Sequence, residues 1–493
     1  MVKRTDTTGD WQVYHRSLAN TEYLVLNTTA AKATGATRWN STTPTSTVFS
    51  IGTDATVNAS GGTYVAYLFA HDAGGFGLTG TDNVISCGSF TTDGSGNATV
   101  NLGYEPQWIM TKATTEVSDW YLADVMRGTS NTNFNRLNAN TSGAETSSSV
   151  RFIPTATGFT ASGLSTATFI YIAIRRGPMK VPTTGTSVFG ALTRTGTGAN
   201  ATISGLSFPV DMLIGSTRDS ARAHAITDRL RGAKTALVTN STAADTADAT
   251  GVTGLDRMDG FTLGTDVSYT GTFNGGTSES KLVHYFRRAP SFFDEVCYTG
   301  NGVAGRTVTH NLGVAPELII TKNRDNTNGW FVYSATLGNT KYLKLELTDA
   351  SATDAFAWNN TSPTSTVFTV GDGGGVNGSG VTQVAYLFAT CAGVSKVGSY
   401  TGTGTTLQID CSFTAGARFV LIKRTSSTGG WYVWDSARGI IAGNDPYLFL
   451  NSTAAEVTST DYVDTYSAGF EISSTAPAAI NGSGGTFIFL AIA

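Results

Sequence analysis

Charge is scarce in this sequence, and what there is nearly balances. Asp, Glu, Lys and Arg make up 14% of 493 residues, against the usual quarter, and the net charge is -4. A phosphate-binding surface needs clustered Lys and Arg, so nucleic acid is not an expected partner. Cysteine is almost as rare. Cys87, Cys297, Cys391 and Cys411 lie far apart with no CxxC spacing. That pattern supports neither a metal site nor a disulfide framework, and it predicts buried free thiols. No window approaches 18 apolar residues, which argues against membrane insertion. The opening MVKRTDTTGDW lacks the apolar stretch of a signal peptide.

Catalytic patterns are missing as well. The five histidines, His15, His71, His224, His284 and His310, show no metal-ligand spacing, and there is no GxSxG. Gly-rich runs such as GDGGGVNGSG lack the Lys-Ser/Thr of a phosphate loop and read as turns. A glycan hydrolase needs two carboxylates flanking a cleft, whereas acids here are scattered and sit in turn contexts such as TTGDW and NRDNTNGW. Asp124 and Asp435 recur beside Arg127 and Arg438, an arrangement that reads as a local pair fixing a turn. The expectation is a protein that is not an enzyme, with no cofactor and no metal.

What the sequence does have is glycine, 57 of them, with Ser, Thr and Asn throughout and 10% aromatic residues. The aromatics supply enough apolar mass for cores divided among short strands. It also has internal repeats. Lys3, Trp11, Trp39, Pro44, Asn58 and Tyr67 match Lys322, Trp330, Trp358, Pro363, Asn377 and Tyr386 at a constant spacing of 319. WNSTTPTSTVF at 39–49 thus returns as WNNTSPTSTVF at 358–368. A second type pairs Lys112, Trp120, Asp124 and Arg127 with Lys423, Trp431, Asp435 and Arg438 at a spacing of 311. The stretch between, with MLIGSTRDSARAHAITDRLRG and KLVHYFRRAP, is a more distant third type.

Five modules follow: an incomplete type one at 1–76, type two at 77–177, type three at 178–290, type one at 291–393 and type two at 394–493. Short alternating runs such as ELIITK, WFVYS and VAYLFA, punctuated by Gly, Asn, Asp, Ser and Pro, are strand signals. The predicted fold is all-β: tandem antiparallel β-sandwiches, jelly-roll-like, of about 100 residues each. Only Arg218–Ala233 suggests a short helix. The first module begins in register with the middle of the fourth, so counterparts of Phe293–Ile320 are missing and a strand edge is expected to lie open. Either the chain continues a longer protein or a neighbouring subunit supplies those strands. Trp11, Trp120, Trp330 and Trp431 lie in alternating strands and are expected in cores. Trp39 and Trp358 precede polar runs, in loops where Pro44 and Pro363 fix a turn leading into strands at Thr47–Ile51 and Thr366–Val370. Scaffold is the leading reading of these loops, but if any surface grips a glycan, Trp39 and Trp358 are the candidates, since an exposed indole beside Asn stacks on a sugar ring.

FRRAPSFFDEVCYTGNG, VTHNLGVAPELIITKNR and DRLRGAKTALVTNSTAAD, with the type-one string from YLVLN to VAYLFA, resemble the tandem repeats of tail proteins of tailed bacteriophages. That repeat, of unknown function, is frequent near the C-terminal ends of tail fibre or tail-tip chains. The resemblance implies a structural and adhesive virion protein, made in the host cytoplasm, that contacts other tail proteins and a host surface glycan. It also implies that a unit like FRRAP…ITKNR precedes a stretch like MVKRTDTTGDW. Such a rod of modules contacts itself only between chain neighbours. A homo-oligomer is expected, with a trimer as one form, although no coiled coil or collagen-like segment specifies three-fold symmetry. The alternatives are a purely architectural head fibre or decoration, a polysaccharide depolymerase, and a bacterial surface adhesin.

Overall fold

A computed structural model describes residues 1–77, 80–127, 134–148, 150–178, 180–267 and 270–493. The chain is all-β, with only single-turn helices, and forms two compact regions, Met1–Gly177 and Pro178–Ala493. Every sheet draws its strands from one of the five modules, and all strand pairs are antiparallel.

In Pro178–Ala493 each module is a large sheet backed by a small one. The fourth module shows the plan. Its large sheet runs in the order Phe293–Thr299, Thr382–Phe388, Leu318–Asn323, Phe331–Ser334, Lys341–Lys344, Ala352–Thr353. Its small sheet pairs Arg306–Thr309 with Val367–Val370. The first, second and last strands therefore wrap as in a jelly roll, while the strands between run as a meander. Alternation explains the layering. Ile319, Phe331, Tyr333, Phe368, Val370, Ala385 and Leu387 point into the sandwich core, while Leu318, Ile320, Trp330, Val332, Val384, Tyr386 and Phe388 point out of its other face.

That other face does not meet solvent. It joins the matching faces of the third module (Phe189, Met212, Ile214, Leu237, Phe286) and of the fifth (Phe419, Leu421, Trp431, Val433, Leu490) in one common core. Strands buried on both faces read as continuous apolar runs, as LIITKN and FVLIKR do. The three modules close a ring. Trp431 Nε1 donates to the Lys344 carbonyl at 2.9 Å, fastening module five to four. Trp330 Nε1 donates to the Val238 carbonyl at 3.0 Å, fastening four to three. Three reaches five where the Thr239 hydroxyl donates to the Leu450 carbonyl (2.6 Å) and Arg218 pairs with Glu456 (2.8 Å). The expectation of modules touching only chain neighbours is corrected here, because modules three and five meet. A cyclic three-module core inside one chain also supplies a three-fold pattern that the repeats did not reveal.

Arg218–Ala233 is not helical. Residues 225–228 form the strand Ala225–Asp228, paired with Met212–Thr217 and Thr235–Val238, and the rest is loop and turn. The alternating AITD outweighs the helix-forming Ala and Arg around it, since its side chains are buried from both faces.

Met1–Gly177 repeats part of this plan. Module two has the full pair of sheets, with Ile85–Thr91 and Thr168–Arg175 at one end of the large one. Module one has a single sheet, ordered Ala33–Thr34, Glu22–Val25, Gln12–Val13, Val2–Arg4, Tyr64–Ala66. The same interlock joins them: Trp120 Nε1 donates to the Val25 carbonyl at 3.0 Å. Val13, Leu18 and Leu24 share a core with Met110, Trp120, Ile170 and Ile172.

Candidate functional site

The repeated WN line holds the two indoles that the sequence offers as ligand-site candidates. A single helical turn, Ala36–Trp39 in module one and Ala355–Trp358 in module four, carries each indole inward. Trp39 is 3% exposed and Trp358 1%, each edge-on to a tyrosine, Tyr14 or Tyr333. The exposure that a stacking role would require of Trp39 and Trp358 is corrected: both indoles are buried in packing. The cause is backbone geometry. Asn40 and Ser41, like Asn359 and Asn360, take positive φ between 47° and 51°, which reverses the chain and turns the polar run outward while the indole stays in.

The loop beyond is built bond for bond alike in both modules. The Thr45 amide donates to the Val48 carbonyl at 2.8 Å and the Thr364 amide to the Val367 carbonyl at 2.8 Å. Each of those threonine hydroxyls accepts the amide three residues on at 3.1 Å. The line is repeated because this turn needs Asn in the left-handed region, then Pro, then a capping Thr. Gly52 and Gly371 end it against backbone: a Cβ there would stand 2.0 Å from the Thr37 carbonyl oxygen or 2.2 Å from that of Phe356. One difference stands out. Of the strands expected at 366–370 and 47–51, the first forms as Val367–Val370, paired with Arg306–Thr309, whereas 47–51 pairs with no strand among the described residues.

The recurring Asp–Arg pairs are clamps. Asp435 and Arg438 bond at 2.7 Å with no solvent exposure, and Arg438 Nη2 also donates to the Val433 carbonyl. Burial opposes ionisation of Asp435, yet Arg438 and the bond from His284 (3.0 Å) hold its carboxyl far below the ordinary range. The third module has the same device in Asp228 and Arg231 (2.5 Å), which the sequence reading passed over although TDRLRG keeps the spacing. Asp228 accepts the Tyr386 hydroxyl of module four at 2.5 Å. Each clamp thus fixes its own turn and greets a side chain of the next module. Asp124 and Arg127 form the same pair at 2.5 Å, but about a fifth exposed.

Three lysines complete the fastening. Lys112, Lys322 and Lys423 are fully buried and donate across a module boundary to the carbonyls of Thr29 (3.0 Å), Thr242 (3.2 Å) and Thr348 (2.8 Å). Burial pushes each ammonium down to about 8. Cys87, Cys391 and Cys411 are free and buried, and Cys297 is free and half-buried; burial raises the Cys87 thiol to about 11 and that of Cys411 to about 12. Among the described residues no group of His, Cys, Asp and Glu is arranged to hold a metal ion. No helix among them is long and apolar enough to cross a membrane.

A cleft of about 590 Å³ lies in Met1–Gly177. Its walls are largely apolar: Val13, Trp39, Phe49, Leu68, Met110, Trp120 and Ile172. Its rim includes Phe49 and Tyr67–His71, which follow the edge strand Tyr64–Ala66.

A family profile described as a domain of unknown function, DUF7483, matches residues 1–178, 184–290 and 287–493. The chain belongs to the DUF7483 family. The three matches fall on modules one and two, on module three, and on modules four and five, so the DUF7483 pattern follows the repeat types described above. No curated protein matches the chain. In this DUF7483 chain the buried lysines and the Asp228 and Asp435 clamps bond across module boundaries.

Proposed function

We propose that this DUF7483 protein is a structural and adhesive part of a bacteriophage virion, a tail fibre or tail-associated appendage that contacts the glycans of a host surface. The observation that carries the reading is where its ionic chemistry is spent. Asp435, Arg438, Glu456 and Arg218, and Asp228, Arg231, Asp245 and Arg324, form two networks, largely buried apart from Arg218, whose members come from different modules. Removing either partner of such a pair is costly, so these networks serve to hold modules in one arrangement. Support also comes from the sequence resemblance to phage tail repeats. The outward-turned Asn, Ser and Thr of 40–47 and 359–366 offer hydroxyls and amides suited to weak polar contacts with sugars, summed over many copies.

Purified protein incubated with the capsular or lipopolysaccharide fraction of the host bacterium should be retained by it. Absence of retention on host cells and on both fractions would favour the purely architectural reading. New reducing ends in the same incubation would favour a depolymerase instead.

A further inference from the structure

The three joints of the ring in Pro178–Ala493 are built on equivalent positions. Leu318 pairs with Ser334, Phe419 with Asp435 and Met212 with Asp228, which sets the three modules in one register. Four residues along the first strand and four back along the second lie Lys322 and Trp330 in module four, and Lys423 and Trp431 in module five. The same two positions in module three hold Ser216 and His224. The backbone bears out the match: the carbonyls of Trp330, Trp431 and His224 accept from the amides of Leu345, Leu450 and Thr239 in turn.

Modules four and five each anchor with an ammonium and an indole, whereas module three meets module five with a hydroxyl and an imidazole. Trp330 donates to the carbonyls of Val238 and Ser241. Their counterparts in module five are Phe449 and Ser452. The His224 ring is turned toward that backbone, though its Nε2 closes no hydrogen bond there. Nδ1 lies 2.7 Å from the Ser216 hydroxyl, and the whole side chain is sealed from solvent. An indole N–H is a donor at any pH, while an imidazole gains a charge. The groups set around His224 are ill suited to receive one. Arg438 and, when charged, His284 repel a cation there. The acids beside them are already engaged: Asp435 takes His284 and Arg438, and Glu456 takes Arg438 and Arg218. Burial first, then Arg438 and His284, push the ring down to about 4 from an ordinary 6.5, although the Phe449 and Ser452 carbonyls favour the proton.

We propose that the contact between modules three and five is an acid-released latch, in which a proton on His224 opens this joint and leaves the two indole joints closed. Modules three and five are not consecutive, so no linker holds them together when their contact parts. Three stays on four through Trp330 and Lys322, and four on five through Trp431 and Lys423. In the open joint the imidazole reaches water, so the open state binds a proton that the closed state refuses. The closed joint is favoured above pH 6.5 and loses that advantage as pH falls toward 4. Between pH 6.5 and about 4.5 the ratio of open to closed should rise about fortyfold for this one proton. The device is independent of the adhesive reading.

Hydrogen exchange of the full chain reads all three joints at amides that cross them. The Glu456 amide donates to the Arg218 carbonyl across the latch. Asn328 and Asp245 donate across the joint of three and four, and Ser351 and Gly429 across that of four and five. After correction for the intrinsic pH dependence of exchange, protection at Glu456 should fall about fortyfold between pH 6.5 and about 4.5, while the other four amides change less than about threefold. His224→Gln, which keeps a donor without a titrating group, should remove the fall at Glu456; His284→Gln should leave it. An equal fall at all three joints of the parent chain, or none at Glu456, overturns the latch, and the parent chain alone decides that point. A fall that survives His224→Gln, or that vanishes with His284→Gln, overturns the assignment to His224.

Discussion

Tyr67 and Tyr386 hold the same place in the same type of module, followed by the same Leu-Phe. One stands half in solvent against Trp11; the other is sealed, with its hydroxyl on Asp228. The difference lies in the neighbours. In Pro178–Ala493 three modules turn one face of each large sheet toward a common core, so residues on both faces of those sheets are buried. In Met1–Gly177 two modules share such a core and part of it lines a cleft. A type-one sequence therefore carries two sets of apolar residues, one for its own sandwich and one for a ring.

The largest test of that comparison is at the interlocking indoles. Trp431→Ala should cost about 3–5 kcal/mol, from lost burial, the cavity left behind and the bond to Lys344. Trp11→Ala, at the same place in module one, should cost about 2 kcal/mol or less, because that ring is only partly buried and stacks on the exposed Tyr67. Denaturant-dependent hydrogen exchange, read on fragments of each region, measures both. Equal losses would break the comparison.

A step smaller, Tyr386→Phe removes a donor from the buried Asp228 and should cost about 1–3 kcal/mol in the same measurement. Tyr67→Phe should change nothing beyond about 0.5 kcal/mol. Arg127→Ala against Arg438→Ala sharpens the same point. Loss of the fully buried guanidinium strands Asp435 and should cost about 3 kcal/mol or more, whereas the partly exposed pair should lose about 1 kcal/mol or less.

Much of this organisation was legible in the sequence. The gapless match at a spacing of 319 marks out the type-one module, and alternation in runs such as WFVYS and VAYLFA marks its strands. Alternation assigns a residue to a face without saying what covers that face. Trp330 and Trp431 could thus be read as buried, while their acceptors, carbonyls of another module, could not. The same limit hid the contact of modules three and five, whose partners Arg218 and Glu456 are far apart in the chain. Trp39 and Trp358 misled for a local reason: the polar run after each indole suggests exposure, but two consecutive left-handed residues separate the direction of the run from that of the ring.

The smallest expected effect is in pH dependence, and it concerns what both regions share. Lys423 is held at about 8 by burial, against 10.5 for an unhindered lysine. Between those values the unfolded chain keeps a proton that the folded chain has released, so this group's contribution to stability rises with pH across that window. Below pH 8 both states are protonated and the slope vanishes. Compared with a Lys423→Met variant, the parent should gain stability steadily from pH 8 to 10, read as a shift in the denaturation midpoint. Lys112→Met should show the same sign in Met1–Gly177, where its ammonium is also held at about 8 and bonded to Thr29.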